Sequence, residues 1–333
     1  MFLSVGVRFE ANVEALNMVE TAGNYSKHRR VPYLVEDNGK LKTVYVPALS
    51  GESLAHAYQE HLVHEAAILN LPVCEDCERY EFFKSMNKLH LEKKVNPIPD
   101  NPQDIERAIL TSCVVEDIGG FLYAEKPPVR RSSAFQVSYA LPVKSVALFA
   151  TSEPQLHARH AQIDTSSKKD DISTNTQTGV SSKKGSASEQ MIYYVETGTS
   201  LYGFTFNLDL NAVGVSAITS KPILEEEDIK ARREVALKAL FRMLSSMQFG
   251  AKLSRFFPVG GITEIALAVT DHPFVVTSPI YDDYITKTER RLKVLESFDE
   301  KYFFDVTKGD GVPEEVLKGA MKYLKERGVL KSS

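Results

Sequence analysis

Several short clusters in this 333-residue chain carry side chains that do chemistry. Cys74 and Cys77 form the stretch CEDC, and His61 and His64 lie one helical turn apart just upstream. Thiolate and imidazole donors at these spacings are what a tetrahedral zinc ion takes, although HxxH followed by CxxC matches no standard finger. The alternatives are histidines on a helix face and cysteines that are incidental or joined by oxidation. His157 and His160, in LHARH, are candidates for general acid–base work on RNA or for contact with phosphate or ribose, and no companion nucleophile stands nearby. KHRR offers Lys27, Arg29 and Arg30, and arginines grip phosphate oxygens with a two-pronged fork. A solvated surface run is the alternative.

Three weaker signals complete the set. FGAKLSRFFP (249–258) places Lys252 and Arg255 behind a glycine, where backbone amides approach phosphate closely; a helix cap with surface cations is the alternative. In VPALSGESL, Ser50 and Ser53 either cap a helix or cradle a phosphate at its N-terminus. Arg130 and Arg131 are candidates on charge alone, and Asn12 follows the first strand-like segment. The chain has no GxxxxGK[ST] phosphate loop, dinucleotide fingerprint, nucleophile elbow or paired-acid site, so no cofactor is expected.

These side chains need a scaffold. A 43% hydrophobic, 25% charged composition is that of a globular protein with a sizeable core. The net charge of −4 excludes a globally basic nucleic-acid binder, but not a local basic track, because the cations are unevenly placed. Further basic residues stand at 230–233, while acids gather in EEED (225–228) and EDCE (75–78). An odd count of three cysteines does not make a secreted disulfide framework. No apolar run approaches the ~20 residues of a membrane span, and MFLSVGVRFE lacks the pattern of a signal peptide. The expectation is a cytoplasmic protein.

Periodicity supplies the elements. Leu3, Val5, Val7 and Phe9 alternate with Ser4, Gly6, Arg8 and Glu10, which predicts a half-buried strand. Asn38-Gly39 predicts the turn of a hairpin over 31–46. Residues 51–69 read as a helix capped by Ser50. VKSVALFAT (143–151) and LYGFTFNLDL (201–210) read as strands, the second with Tyr202, Phe204, Phe206, Leu208 and Leu210 on one face. Residues 226–248 read as a helix with acids in its first turn and Gly250 ending it; 262–270 is a strand, and a last helix starts at Pro313. The order is the split βαββαβ of an α+β, ferredoxin-like or RRM-like fold, without the exposed aromatics of the usual RRM stacking motif. Residues 71–140 are an expected insertion in a single domain spanning 1–333. Residues 161–190 carry no aromatic residue and balance four lysines with four acids, so 152–190 is expected to be a flexible loop at a hairpin tip.

Taken together, ANVEALNM, GNYSKHRRVP, VPALSGESLAHAYQEHL, CEDC, YGFTFNLDL and FGAKLSRFFP resemble the archaeal CRISPR-associated autoregulator (DevR-type) proteins, the backbone subunits of type I-A Cascade. The resemblance covers nearly the whole chain. It implies an RRM-like palm with a helical insertion, and a thumb loop at 152–190 that folds over bound RNA or a neighbour. It implies a non-enzymatic, antiviral role: copies polymerise along CRISPR RNA as an open helical filament and present it for pairing with target DNA, beside other Cascade subunits. An endoribonuclease that processes CRISPR RNA is the alternative. Carried over by position, Asn12, Lys27, Arg29, Arg30, Ser50, Ser53 and His160 are the implied RNA contacts, with Lys252 and Arg255.

Overall fold

Alternation at the start of the chain becomes β1 (Phe2–Glu14). The computed structural model describes residues 1–14, 21–22, 25–162, 188–249, 261–308 and 312–331. After β1 come β2 (Thr21–Ala22), β3 (Tyr25–Ser26), β4 (Arg30–Asp37), β5 (Lys40–Pro47) and helix α1 (Gly51–Ile68). A run of short pieces follows: α2 (Glu75–Glu78), α3 (Lys88–Glu92), α4 (Pro102–Ser112), α5 (Val114–Gly119), β6 (Phe121–Tyr123), β7 (Val129–Arg131), β8 (Phe135–Val137) and β9 (Leu141–Pro142). The rest is β10 (Thr151–Gln162), β11 (Ser188–Asp209), α6 (Glu226–Ser246), β12 (Ile262–Thr270), α7 (Tyr284–Glu296), β13 (Tyr302–Lys308) and α8 (Pro313–Glu326). The protein is thus an α+β structure. Among the described residues no helix is long and apolar enough to cross a membrane.

One mixed sheet organises these elements. β13, β12, β1 and β11 lie side by side, each antiparallel to the next. On its other edge β11 carries β8, β9 and β10 in turn. Where β1 ends at Glu14, opposite Thr197, β3 takes over and pairs parallel with Tyr194 and Val195. Leu3, Val5, Val7 and Phe9 of β1 and Tyr202, Phe204, Phe206 and Leu208 of β11 are all buried, in one cluster with Leu54, Tyr58 and Leu62 of α1 and Val235, Leu240 and Met243 of α6. Each such large side chain contributes about 1.5–3 kcal/mol by leaving water. Asn38 and Gly39 both have positive φ, the requirement of the two-residue hairpin turn between β4 and β5.

Four expectations need correction. No strand forms over 143–151: the Val143 amide still bonds to Leu201, but the next amide, of Lys144, turns to the Ile280 carbonyl, and a 3₁₀ turn (Ala147–Phe149) follows. β1 is not half-buried but covered on both faces. The Val276 amide donates to Ser4, and Gly6 meets Val276, Pro279 and Tyr284 so closely that a side chain there would press on them. α6 ends at Met247, in the left-handed conformation (φ 51°), before Gly250 is reached. The expected loop 152–190 begins and ends as a two-stranded ribbon of β10 and β11, paired out to Gln162 and Ser188; residues 163–187 lie outside the described residues.

The pieces between α1 and β8 are held by their own apolar cluster, Leu91, Ile105, Ile109, Leu110, Phe121, Tyr123 and Val129, and by buried charge. Asp117 of α5 accepts from Arg131 of β7 (2.7 Å), from Arg232 of α6 (3.0 Å) and from the Gly214 amide. Arg131 also donates to the Asp117, Ala212 and Val215 carbonyls. This corrects the reading of Arg131 as an RNA contact on charge alone: with Arg232 it is buried, and the carboxylates of Asp117 and Glu106 balance the two guanidiniums. Removing one partner of a buried ion network leaves uncompensated charge and costs about 3–5 kcal/mol. Asp117→Ala is therefore expected to destabilise the chain by about that much in urea unfolding, and a loss under about 1 kcal/mol would show that the network does not hold the insertion in place.

Candidate nucleic-acid interface

At the end of the sheet where β1 runs out, three chain segments meet. The first is the Tyr25–Arg30 stretch, laid along β11 by one carboxylate: the Tyr25 hydroxyl donates to Glu196 Oε1 (2.6 Å) and the His28 amide to Oε2 (2.8 Å). That hydrogen bond raises the Tyr25 phenol above its ordinary value. His28 then packs closely on β11, because the residue beneath it is Gly198; a Cβ there would sit 3.0 Å from His28 Nε2. His28 Nδ1 lies 2.9 Å from the Arg29 carbonyl, which only accepts, so Nδ1 carries the proton. Burial pulls this imidazole below its ordinary value of 6.5, against the opposing pull of the Arg29 carbonyl and Glu196.

The second segment is the turn from β5 into α1. The Ala48 amide donates to the Arg29 carbonyl (2.9 Å), and Leu49 pairs with Ala140. Arg29 is thereby set beside Tyr139: Nη1 donates to its hydroxyl (3.2 Å), and the guanidinium lies 6.0 Å from the ring centre. Arg30 is exposed and donates to the Tyr45 carbonyl (2.7 Å). Both arginines are held by neutral acceptors, and neither has a carboxylate partner among the described residues. Lys27 is exposed beside them. The third segment is the C-terminal end of α6, where the Phe249 carbonyl accepts from the Ser53 hydroxyl (3.2 Å). Next to this end, on the sheet face opposite α1 and α6, is a cleft of about 500 Å³ lined by Arg8, Glu10, Phe149, Thr199, Leu201 and Glu264 among others.

The structure brings together Lys27, Arg29, Arg30, Ser50 and Ser53, but gives the serines a different task. Ser50 is 1% exposed and accepts from the Ser53 amide (3.2 Å), so it is the helix cap; Ser53 is 5% exposed. Ser50 thus takes the capping role, one of the two alternatives its position offered, and both serines are buried. Asn12 reaches the same end of the sheet, in register with Thr199 of the cleft. His160 does not: it pairs with Gln190, eight positions along β11 from Gly198 and so roughly 26 Å away at about 3.3 Å per residue. Arg130 is exposed on β7, within the insertion, and Arg131 is buried there. Lys252 and Arg255 lie outside the described residues. Sequence reading missed Glu196 and Tyr139, which carry no motif and gain meaning only from strand register.

The metal reading also changes. His61 is half-buried and His64 exposed on α1, where they line a separate cleft with Tyr80 and Arg242. Cys74 and Cys77 are buried instead with Cys113 and Glu116.

Comparison with known proteins gives a consistent picture. The family model described as "CRISPR-associated negative auto-regulator DevR/Csa2" matches residues 5–289. Two Saccharolobus solfataricus proteins are similar over most of their length. One, "CRISPR-associated aCascade subunit Cas7/Csa2 2", is 35% identical over 298 residues, 87% of this chain and 86% of its own. The other, "CRISPR-associated protein Cas7/Csa2 1", is 34% identical over 276 residues, 82% and 80% of the two chains. A chain of a solved "CRISPR RNA-guided surveillance complex, pre-nicking" has a TM-score of 0.48 at 10% identity, covering 97% of this chain and 100% of that one.

Because burial lowers the His28 pKa, the unfolded chain binds the extra proton first as pH falls. The stability tied to a neutral His28 is therefore intact above about pH 6.5 and is lost as pH falls through the lower, folded value. Urea unfolding at about pH 7.5 and about pH 5.5 measures this. The His28→Gln variant, which cannot titrate, is expected to lose less stability over that interval than the parent; equal losses would remove His28 as the cause.

Proposed function

The chain belongs to the CRISPR-associated DevR/Csa2 family, and on that premise we propose that it is the RNA-binding backbone subunit of a type I-A Cascade complex. Copies polymerise along CRISPR RNA in the cytoplasm and present it for pairing with target DNA in antiviral defence, in contact with other Cascade subunits. The observation that carries the RNA-binding part is the treatment of Arg29 and Arg30. The buried arginines, Arg8, Arg131 and Arg232, are neutralised by carboxylates. Arg29 and Arg30 are fixed by a hydroxyl and a carbonyl, which orient a guanidinium and leave its charge for phosphate.

The arrangement β12–β1–β11–β10, with α1 and α6 packed on one face, supports reading the core as the RRM-like palm. Residues 71–140 are then its helical insertion and 152–190 its thumb, whose base is the β10–β11 ribbon. Asn12, Lys27, Arg29 and Arg30 form the RNA track, with Lys252 and Arg255 continuing it past Phe249; Arg130 and His160 would contact RNA only at other points along its path. Such a track grips backbone, so guide–target pairing, not the protein, reads sequence. We read the chain as a scaffold and not as a nuclease, because His160 stands far along the ribbon from the cationic cluster.

The double variant Arg29→Ala/Arg30→Ala is expected to weaken binding to unrelated single-stranded RNAs by a similar factor. It is also expected to flatten the dependence of log K on log salt by about 1.4, the value for two phosphate contacts on a single strand. Loss confined to one RNA sequence would refute backbone contact. Electron microscopy of the chain with guide-length RNA should show RNA-dependent helical arrays, and a monomer that ignores RNA would overturn the assignment. Specific cutting of repeat RNA in chelator, abolished by His160→Ala, would establish the nuclease instead.

A further inference from the structure

Three cysteines and a glutamate from two distant stretches of chain meet inside the insertion. Cys74 caps α2 and Cys77 lies within it; Cys113 joins α4 to α5, and Glu116 stands in the first turn of α5. Each pair has the same three-residue step, which sets both side chains on one side of a helical turn. All four residues are buried, and their ligand atoms lie within 4.8 Å of one another. A tetrahedral ion with Zn–S bonds of about 2.3 Å has donor atoms about 3.8 Å apart, so small side-chain adjustments close the site.

The surroundings fit the charge of such a site. Glu116 Oε2 accepts from Ser85 Oγ (2.7 Å); Oε1 faces Cys74 Sγ at 3.5 Å and is met by the Lys94 ammonium. Lys94 is itself buried, 2% exposed, and also donates to Ser85 Oγ (2.9 Å). Lys84 donates to the Gly119 carbonyl (2.7 Å) within electrostatic reach of Cys77, Cys113 and Glu116. Three thiolates and a carboxylate bring four negative charges; a divalent ion and two lysines bring four positive ones. Without the ion, Lys94 pairs with Glu116, and the part-buried Lys84 has the Gly119 carbonyl as its hydrogen-bond partner. A disulfide would use two sulfurs and give neither the third thiol nor the carboxylate a role.

We infer that Cys74, Cys77, Cys113 and Glu116 hold one structural divalent metal ion, zinc by the softness of the thiolate donors, which fastens α2 to the α4–α5 junction. Four protein donors, all buried, leave no open position for a substrate, so the ion is structural rather than catalytic. Ser85 and Lys94 orient the carboxylate donor.

The full-length chain, purified without a polyhistidine tag, is expected to contain about one zinc per molecule by elemental mass spectrometry. Cys77→Ser/Cys113→Ser should bring zinc to background, while His61→Ala/His64→Ala should leave it unchanged. If the cysteine variants do not fold, the parent chain, unfolded in chelator and refolded with cobalt(II), keeps the question open to test. Thiolate-to-cobalt charge-transfer absorption with the visible bands of a tetrahedral ion is the expected spectrum. Purified parent chain without metal that also gives no thiolate–cobalt absorption, or a disulfide among the three cysteines by mass spectrometry, would overturn the proposal.

Discussion

β1, β3, β8, β9 and β10 all pair directly with β11. It has 22 residues, roughly 70 Å of extended chain at about 3.3 Å per residue. Its far half supplies the aromatic core through Tyr202, Phe204 and Phe206, and its near half is the floor on which the KHRR segment lies. Side chains alternate along a strand, so a slip of one residue turns the whole aromatic set away from the helices. The same slip would move Gly198 from beneath His28 and Glu196 from Tyr25. Core burial therefore fixes the register that also places the Tyr25–Arg30 stretch on β11.

The insertion is secured differently. α5 is only six residues long, yet its neighbours Glu116 and Asp117 enter two separate buried networks. Glu116 meets Lys94, Ser85 and the cysteines, while Asp117 meets Arg131, Arg232 and the Gly214 amide. Buried ion networks contribute little net stability, because desolvation offsets most of their attraction. They are, however, intolerant of misplacement, since each partner strands a charge if it moves. The segment has a small apolar cluster of its own and also places Val114, Val115 and Ile118 of α5 in the main core, and these charges add a second constraint on how it docks on α6 and on the chain leaving β11.

How much of this was legible in the sequence depends on the range of the force involved. β1, the β4–β5 hairpin, α1, α6 and α8 follow from alternation, an Asn-Gly turn, a serine cap and a proline start, all written within a few residues. VKSVALFAT has the composition of a strand, but the Lys144 amide bonds to Ile280, more than a hundred residues away, and no local pattern records that. His61 and His64 seemed to complete the CEDC pair because they are close in sequence. The true neighbours, Cys113 and Glu116, repeat its three-residue step from another part of the chain. Arg131 looked like a surface cation because a charge pattern does not reveal that Asp117 waits beside it in the interior.

An acidic chain can still present a local basic surface. Forty cations against forty-four acids is a statement about the sum, and at physiological salt a surface charge is felt over only about 8 Å. What a strand of phosphate meets is therefore set by which cations the fold has already neutralised. Arg8 is taken by Glu264, Arg232 by Asp117 and Arg242 by Glu65. Arg29 and Arg30 donate instead to a tyrosine hydroxyl and a backbone carbonyl, groups that orient a guanidinium without cancelling its charge. On the proposed function, neutral acceptors at these two adjacent positions leave their charge for phosphate to meet.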